Sequence, residues 1–256
     1  MDTIKRTVED GVAWITMNRP DKLNAFNKQM HAELKETLKQ VKKDNEVRAV
    51  VLTGEGRAFC SGQDLADVGE DADFSEILRK RYNPLIESIT SLEKPVIAAV
   101  NGTAAGAGMS LALACDFRLA HEKASFIEAF INIGLVPDSG SLYFLPRLVG
   151  HAKAMELAVL GEKVRADEAE KLGLVTKVIP DAEWEEAVKA FAERLANMPT
   201  KAIGLIKRYM NKSWENDLSE VLENEADAQQ IAGYSADYKE GVQAFLEKRK
   251  PKFTGK

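Results

Sequence analysis

The first half of the chain begins with two strand-like stretches on either side of a turn signal. "TIKRTVED" and "VAWITMN" flank Asp10-Gly11, a dipeptide that favours the type I′ turn of a β-hairpin. From Asn27, a residue type suited to a helix N-cap, apolar residues recur at helical spacing, and residues 47–54 follow as a short continuous apolar run. The pattern predicts a hairpin, then a helix, then a buried strand.

Helix and strand signals continue to alternate after this point. Residues 77–92 carry apolar side chains at helical spacing, and "PVIAAVNG" (95–102) indicates a second buried strand. Such alternation is typical of an α/β domain whose mostly parallel sheet is covered on both faces. After about residue 180 the strand signals end and consecutive helical stretches follow. We therefore predict an α/β core over residues 1–195 and a helical segment over residues 196–256, whose apolar faces need the core or another subunit to cover them.

Composition narrows the class of protein. The chain has 256 residues, of which 45% are hydrophobic and 29% charged, as in an ordinary globular protein. Its net charge of −5 argues against a nucleic-acid partner. The N-terminus shows no signal-peptide pattern and no stretch is long and apolar enough for a membrane span, so we expect a cytoplasmic protein with no membrane partner. Cys60, Cys115 and the three scattered histidines show neither disulfide nor metal-ligand spacing, and we expect no metal site.

Two glycine-containing loops are the candidates for chemistry. "GEGRAFCSGQDLADV" (54–68) and "NGTAAGAGMSLALACD" (101–116) each follow a predicted buried strand. Ligands bind at the carboxyl ends of strands in open α/β sheets, and glycine lets the backbone come close to a ligand. A helix that begins in the second loop would present unpaired N–H groups. We expect backbone donors from the two loops to converge on one oxygen.

Other interpretations of these loops remain open at this point. "GAGMSL" (106–111) begins like a dinucleotide-binding fingerprint but has Leu111 in place of the third glycine. "GMSLA" (108–112) is one residue short of a nucleophile elbow, and no histidine is obviously placed to serve Ser110. Ordinary turn chemistry is the third possibility.

Taken together, five segments resemble the crotonase (enoyl-CoA hydratase/isomerase) superfamily in order and spacing. They are "RPDKLNAF" (19–26), "AFCSGQDL" (58–65), "VNGTAAGAGMSLALACDFRLA" (100–120), "RADEAEKLGLVTKVI" (165–179) and "AFLEKRKPKF" (244–253). The resemblance implies a spiral of ββα units with a C-terminal helical oligomerisation segment, and a homotrimer or a dimer of trimers. It implies an acyl-CoA thioester as ligand, with coenzyme A as part of the substrate and no separate cofactor.

The resemblance also assigns residues to roles. The N–H groups of Gln63 and Ala107 match the family's oxyanion hole, which fits the two-donor argument above. Fixed donors of this kind stabilise the negative charge that develops on a thioester oxygen when a neighbouring carbon loses a proton. The residues that match substrate-binding and CoA-binding positions are Lys22, Leu23, Ala25, Ser61, Asp64, Leu65, Gly106, Phe130, Phe144, Phe245 and Lys248.

The sequence departs from the family's hydratases at the reacting centre. Those enzymes use two glutamates, and the matching positions here are Ser110 and Phe130. Asp138, in "GLVPDSG", instead resembles the aspartate of ring-epoxyphenylacetyl-CoA isomerases, and also that of dienoyl-CoA isomerases and 4-chlorobenzoyl-CoA dehalogenases. Apolar neighbours should partly bury this carboxylate and raise its pKa toward that of a working base. A competing interpretation is that Asp138 only caps a helix beginning at Ser139.

These observations predict an acyl-CoA isomerase with Asp138 as base and an oxyanion hole for the enolate. Phe130, Phe144 and Tyr143 would give the acyl group an apolar lining. One alternative is an enoyl-CoA hydratase of fatty-acid β-oxidation, with Glu128 placed on the same strand face as Phe130 and working with Asp138. Dehalogenation, with Asp138 as nucleophile, is less favoured because Phe130 replaces that family's tryptophan. A subunit that binds acyl-CoA without turning it over is the remaining alternative.

Overall fold

The computed structural model describes residues 1–69 and 71–256. Its strands are β1 Ile4–Glu9, β2 Val12–Met17, β3 Ala49–Gly54, β4 Ala58–Cys60, β5 Val96–Val100, β6 Thr103–Ala105, β7 Phe117–His121, β8 Ser125–Ile127, β9 Lys163–Arg165 and β10 Lys177–Ile179. Its α-helices are α1 Lys28–Lys43, α2 Phe74–Ile77, α3 Asn83–Thr90, α4 Ala107–Leu113, α5 Ser141–Val149, α6 His151–Leu160, α7 Ala166–Lys171, α8 Trp184–Ala196, α9 Thr200–Lys212, α10 Leu218–Gly233 and α11 Ala236–Leu246. A π-helical turn, Leu78–Tyr82, joins α2 to α3.

The strands form two sheets. One sheet has six strands in the order β1-β2-β3-β5-β7-β10, and the other has four in the order β4-β6-β8-β9. Pairing is parallel except at the β1–β2 hairpin and at the β8–β9 edge. From β3 to β8 successive strands alternate between the two sheets, and helices follow the pairs. This is the predicted spiral of ββα units, so the predicted fold is confirmed.

Local signals near the N-terminus gave the expected elements. Asp10 and Gly11 have φ angles of 50° and 77°, as a type I′ turn requires of both central residues. The Asn27 side chain accepts a hydrogen bond from the N–H of Met30 at 2.9 Å and caps α1. The predicted hairpin and the predicted helix start are both confirmed.

The large sheet is buried on both faces, as the apolar runs predict. Alternate residues of β3 point to opposite sides: Val50 and Leu52 join the cluster beneath α1 and α3, whereas Ala49 and Val51 join the cluster beneath α8. All four of these side chains are almost fully buried. Because both faces are covered, ligands can approach only at the strand ends.

The C-terminal helices are joined to the rest of the chain by polar contacts. Lys207 on α9 donates to Asp116 Oδ2 and to the carbonyl of Ile89, both at 2.8 Å. Arg48 donates to the carbonyl of Phe253 at 2.7 Å and so holds the end of the chain. The boundary predicted at residues 195/196 stays a prediction. Within the described ranges, no helix combines the length and apolar character that a bilayer crossing demands.

Many large apolar side chains on these helices face outward. More than a third of each is exposed in Ile206, Met210, Trp214, Leu218, Leu222, Ile231, Tyr234, Tyr238, Val242, Phe245 and Leu246. Tyr234, Tyr238, Val242, Phe245 and Leu246 line one groove, and Ile206, Met210 and Leu222 line another. Clusters of exposed apolar side chains are typical of interaction sites.

Candidate active site

Three adjacent parallel strands of the small sheet end at one edge. β4 pairs with β6 and β6 pairs with β8, all in parallel. Gln63 follows β4, Gly106 and Ala107 follow β6, and Glu128 follows β8. The fold therefore brings together both predicted loops and a carboxylate at the carboxyl ends of the strands, where α/β proteins bind ligands.

Two glycines allow the loops to touch. A Cβ atom on Gly62, whose φ is 94°, would lie 2.9 Å from the Ala105 carbonyl oxygen and 3.5 Å from the Ala107 nitrogen. A Cβ atom on Gly108 would lie 2.1 Å from the Cys60 carbonyl oxygen. Side chains at these two positions would push the loops apart, so the close backbone approach depends on glycine.

The two predicted donors have no protein acceptor within residues 1–69 and 71–256. Around Gln63, the N–H of Phe26 donates to the Gly62 carbonyl at 2.7 Å and the N–H of Asp64 donates to the Phe26 carbonyl at 2.9 Å. These two hydrogen bonds form a parallel β-bridge between Phe26 and Gln63. In such a bridge the N–H of Gln63 points away from Phe26. Ala107 is the first residue of α4, and its N–H has no intrahelical partner. Both N–H groups are free to meet a ligand.

Both polar atoms of the Gln63 side chain have hydrogen-bond partners within the protein. Its amide nitrogen donates to the carbonyls of Phe26 and Asp64 at 3.1 and 2.9 Å, and its amide oxygen accepts from the Tyr82 hydroxyl at 2.6 Å. Tyr82 is buried, packs edge-on against Phe26 and His31, and ends the π-helical turn. Sequence reasoning missed Tyr82, because the apolar spacing of residues 77–92 carries no signal for a π-turn.

A third loop, before α1, packs against the first. Arg19 and Asp64 form an ion pair at 2.8 Å, and the hydrogen bond from Arg19 lowers the pKa of Asp64. Asp64 also accepts from the N–H of Ala66 at 3.2 Å. The structure therefore gives Asp64 protein partners, while its predicted contact with CoA stays a prediction. Arg19 and Asn24, which donates to the Ala58 carbonyl at 2.8 Å, hold this loop and were not singled out from the sequence.

The predicted CoA-binding residues separate into two groups. Ser61 donates its N–H to the Leu23 carbonyl at 3.0 Å, which places the first group side by side. That group is Lys22, Leu23, Ala25, Ser61, Asp64 and Leu65. Phe245, which is 82% exposed, lies on a groove between the C-terminal helices, and Lys248 is exposed beyond α11. The described contacts of one chain do not join Phe245 or Lys248 to the first group.

Asp138 is half-buried and has one side-chain hydrogen-bond partner among the described residues. Its Oδ1 accepts from the Ser139 hydroxyl at 2.7 Å, and burial raises the pKa of the carboxyl above its ordinary value. The expected partial burial is confirmed, although several neighbouring apolar side chains, such as Val136 and Leu142, are themselves exposed.

The interpretation of Asp138 as a helix cap is wrong. Helix α5 begins at Ser141, its N-cap is Gly140, and no side chain caps it. Ser139 and Gly140 both adopt left-handed conformations, with φ of 53° and 84°. These two residues lengthen the turn, so the backbone carbonyl of Asp138 accepts from the N–H of Ser141 while its carboxylate stays outside the helix.

The turn that carries Asp138 is linked to the strand end beside the Gly106-Ala107 loop. The pKa of Tyr82 is raised mainly by burial, and the charge of Asp138 adds to that rise. The pKa of Glu128 is also raised by burial first and further by Asp138. Tyr82 contacts Gln63, and Ile127, next to Glu128, accepts the N–H of Gly106 at 2.9 Å. The Ser141 hydroxyl, in the turn after Asp138, donates to Glu128 at 2.6 Å, so the fold brings the Asp138 turn to the end of β8 beside the Gly106-Ala107 loop.

Ser110 and Phe130, which match the positions of the hydratase glutamates, are both buried. Ser110 is fully buried and donates to the Gly106 carbonyl at 3.3 Å. Phe130 is buried, and its ring lies 3.8 Å from the point where a Cβ on Gly106 would be. Gly106 has φ 51° and ψ −127°, a conformation that suits glycine. The phenyl ring thus covers one side of the Gly106-Ala107 loop.

The other two aromatic residues of the expected lining lie on α5. Phe144 packs against Gly140, where a Cβ would come within 2.6 Å of its ring. Tyr143 donates its hydroxyl to the Asn211 carbonyl at 3.1 Å, which turns its ring toward α9. Phe144 therefore lies beside the Asp138 turn, whereas Tyr143 is directed to the C-terminal helices.

Glu128 is the second carboxylate of this region. It is 1% exposed, its Oε1 accepts from the Ser141 hydroxyl at 2.6 Å, and its buried Oε2 has no partner in the described structure. Burial raises its pKa to about 7. The expectation that Glu128 shares a strand face with Phe130 is wrong, because β8 ends at Ile127 and Phe130 lies in the 3-10 turn Ala129–Ile133.

Comparison with known proteins places this geometry in a family. The sequence profile described as enoyl-CoA hydratase/isomerase matches residues 7–256. The chain belongs to the enoyl-CoA hydratase/isomerase family. The crystal structure of an enoyl-CoA hydratase from Bacillus anthracis matches 99% of this chain and 100% of its own with a TM-score of 0.92 at 34% identity. The resemblance inferred from the five sequence segments is confirmed.

Two relatives in this family are equally similar to the chain and carry different names. The 1,2-epoxyphenylacetyl-CoA isomerase of Escherichia coli strain K12 is 47% identical over 261 residues, covering 100% of both chains. A Rhodobacter capsulatus protein named probable enoyl-CoA hydratase is 47% identical over 255 residues, covering 99% of this chain and 98% of its own. Overall sequence identity therefore does not distinguish isomerisation from hydration, and the distinction has to rest on the residues of the site.

Proposed function

We propose that the protein is an acyl-CoA isomerase in which Asp138 moves the proton and the N–H groups of Gln63 and Ala107 stabilise the thioester enolate. The observation that carries this proposal is the half-buried Asp138, with its raised pKa, on a turn that Ser141 ties to the end of β8 beside the loop with the unpaired Ala107 N–H. Ser110 and Phe130 stand where hydratases have their glutamates, which argues against a positioned water.

The chemistry needs one base and one oxyanion hole. Asp138 removes a proton from the acyl group, and the electron pair that remains is delocalised onto the thioester oxygen. Each N–H donor that meets this charge lowers the barrier by about 2.7–4 kcal/mol in well-studied cases. The protonated Asp138 then returns the proton to another carbon, so the double bond moves and no atom is gained or lost.

The substrate class follows from the lining and from similarity. Phe130 and Phe144 favour an aromatic-derived or unsaturated acyl group. The similarity to the Escherichia coli 1,2-epoxyphenylacetyl-CoA isomerase supports a ring-epoxide acyl group and a place in phenylacetate degradation. With such a substrate the same site would guide expansion of the epoxide ring to an oxepin.

The proposal is tested by the mass of the products from a panel of acyl-CoA thioesters in D₂O. Isomerisation that passes the proton through Asp138 gives products with the mass of the substrate plus incorporated deuterium. Products that gain the mass of water from every turned-over substrate would contradict isomerisation.

Hydration is the second candidate, because the site contains two carboxyls with raised pKa values, Glu128 and Asp138. The similarity to the Rhodobacter protein supports it. Crotonyl-CoA distinguishes the two activities, since hydration removes the conjugated enoyl absorbance. Rapid and saturable loss of that absorbance would overturn the isomerase proposal.

The CoA moiety is proposed to bind along Lys22, Leu23, Ala25 and the Ser61–Leu65 loop. Phe245 and Lys248 would then contact it from a neighbouring copy, because within one chain they lie among the C-terminal helices. The exposed apolar side chains of α9 to α11 support the homotrimer or dimer of trimers. Light scattering at micromolar concentration tests the assembly, and a monomer would contradict it.

A further inference from the structure

Glu128 is a buried carboxyl without a cation to pair with in the described chain. It is 1% exposed at the end of β8, and acidic side chains are almost never so buried unless they are paired. Its Oε1 accepts from Ser141, and its Oε2 has no partner among the described atoms. An arrangement this costly calls for a role other than folding stability.

Ser141 connects Glu128 to the proposed base. The Ser141 hydroxyl donates to Glu128 at 2.6 Å, and the Ser141 N–H donates to the Asp138 carbonyl at 3.0 Å. Ser141 itself is fully buried. Ile127, immediately before Glu128, accepts the N–H of Gly106 at 2.9 Å. The end of β8 therefore holds both the Asp138–Ser141 turn and the loop that presents Ala107.

The surroundings of Glu128 favour its neutral form. Burial is the larger cause of its raised pKa, and the charge of Asp138 adds to it. On β9, which pairs with β8, Lys163 and Arg165 are exposed, and neither contributes a compensating charge. β6, the other neighbour of β8, carries no charged residue.

We propose, given the function proposed above, that Glu128 is a positioning residue that supports Asp138 only as a neutral acid. In that form it holds the Asp138–Ser141 turn on β8 without adding charge. Its ionisation places a second negative charge beside the base and near the oxygen where the enolate develops. That charge opposes enolate formation, so turnover falls as Glu128 loses its proton.

The pH dependence of kcat tests this inference. Wild type should lose activity as the pH rises through about 7, the pKa to which burial raises Glu128. Glu128→Gln keeps an acceptor for Ser141 but cannot ionise, so it should stay within a few-fold of wild type at pH 6 and lose the alkaline decline. Glu122→Gln, the same change at an exposed site, should keep the wild-type profile. Ser141→Ala should lower kcat about tenfold at every pH, because the turn loses its buried hydrogen bond.

Stability gives a readout that does not depend on activity. The pKa of Glu128 is higher in the folded than in the unfolded chain, so folding takes up a proton between the two values. The stability that protonated Glu128 contributes is fully present below the pKa of Glu128 in the unfolded chain. It is lost as the pH rises through about 7, the pKa of Glu128 in the folded chain. The melting temperature of wild type should therefore fall more between pH 5 and pH 8 than the melting temperature of Glu128→Gln.

The other outcomes contradict either this inference or the proposed function. An alkaline decline that persists in Glu128→Gln would overturn the inference and leave the isomerase proposal intact. Loss of turnover at every pH in a folded Glu128→Gln variant would also overturn the inference, because glutamine would then not replace the neutral acid that the inference requires. Full activity of the Asp138→Asn variant would contradict the proposed function.

Discussion

The oxyanion loops and the Asp138 turn are built in different ways. The loops around Gln63 and Ala107 are held by backbone packing, with Gly62 and Gly108 at distances that leave no room for a Cβ. The turn that carries Asp138 lies partly at the surface, and Val136 and Leu142 next to it are 73% and 63% exposed. The proposed hole is thus fixed by the fold of the chain, whereas the proposed base is one side chain in a short surface turn.

This difference predicts which substitutions should affect catalysis without affecting folding. An isosteric change in the Asp138 turn alters no packed backbone and should leave folding intact. A change in the packed loops alters folding and chemistry together. One scaffold can therefore keep its oxyanion hole while the turn supplies a different acid or base.

The largest expected effect comes from Asp138→Asn. Asparagine retains an acceptor for Ser139 but cannot take a proton at neutral pH, so turnover should fall about 10²–10⁴-fold, the usual contribution of a general base. Melting temperature and acyl-CoA affinity should be nearly unchanged. The measurement is product formation and deuterium incorporation in D₂O. Undiminished deuterium incorporation would exclude Asp138 and direct attention to Glu128.

Ala107→Pro tests the hole at its α4 end. Proline has no N–H, and it is tolerated at the first position of a helix, so turnover should fall about 10²–10³-fold with a folded protein. Ala107→Gly keeps the N–H and is the matched control. If the folded proline variant turned over near the wild-type rate, Ala107 would not be a donor.

Gly108→Ala should show the dependence of the hole on packing. The new Cβ would lie 2.1 Å from the Cys60 carbonyl oxygen, so we expect a loss of about 1–3 kcal/mol in the free energy of unfolding, measured by denaturant titration. Gly233→Ala makes the same change in α10 with nothing within 4 Å, and should not destabilise. Equal stabilities of the two variants would contradict the packing argument.

Tyr82→Phe should have the smallest effect. It removes the hydrogen bond to the Gln63 side chain, which stabilises by about 0.5–1.5 kcal/mol, so kcat should fall only a few-fold. Tyr234→Phe, at a site that is 76% exposed, is the control. A loss of several hundred-fold would instead indicate that the Tyr82 hydroxyl meets the substrate itself.

Much of the large sheet could be predicted because its signals are local. The Asp10-Gly11 turn, the Asn27 cap and the apolar runs of β3 and β5 each act within a few residues. The strands of the small sheet were not predicted as such, because each has three residues and too few positions to show a period. The loops that follow them were found from their glycines instead.

The sequence indicated the loops of the candidate site where a short motif marks them, and it missed contacts between residues far apart in sequence. Gln63 and Ala107 lie in the two loops that the glycines mark. The hydrogen bond from Tyr82 to Gln63 joins residues 19 apart in sequence, and nothing near either residue indicates it. Asp138 was mistaken for a possible cap because Pro-Asp often begins a helix, whereas Ser139 and Gly140 delay the start of α5 to Ser141.

The π-helical turn Leu78–Tyr82 has a consequence for how this region can change in length. Such a turn is equivalent to an α-helix that has accepted one extra residue, and each residue of a helix rotates those beyond it by about 100°. Deleting one residue between Tyr82 and Leu85 would turn Leu85 and Ile89 away from the core. A deletion within 78–81 would instead regularise the helix and move Tyr82 away from Gln63. The spacing from Tyr82 to Ile89 should therefore stay constant among relatives.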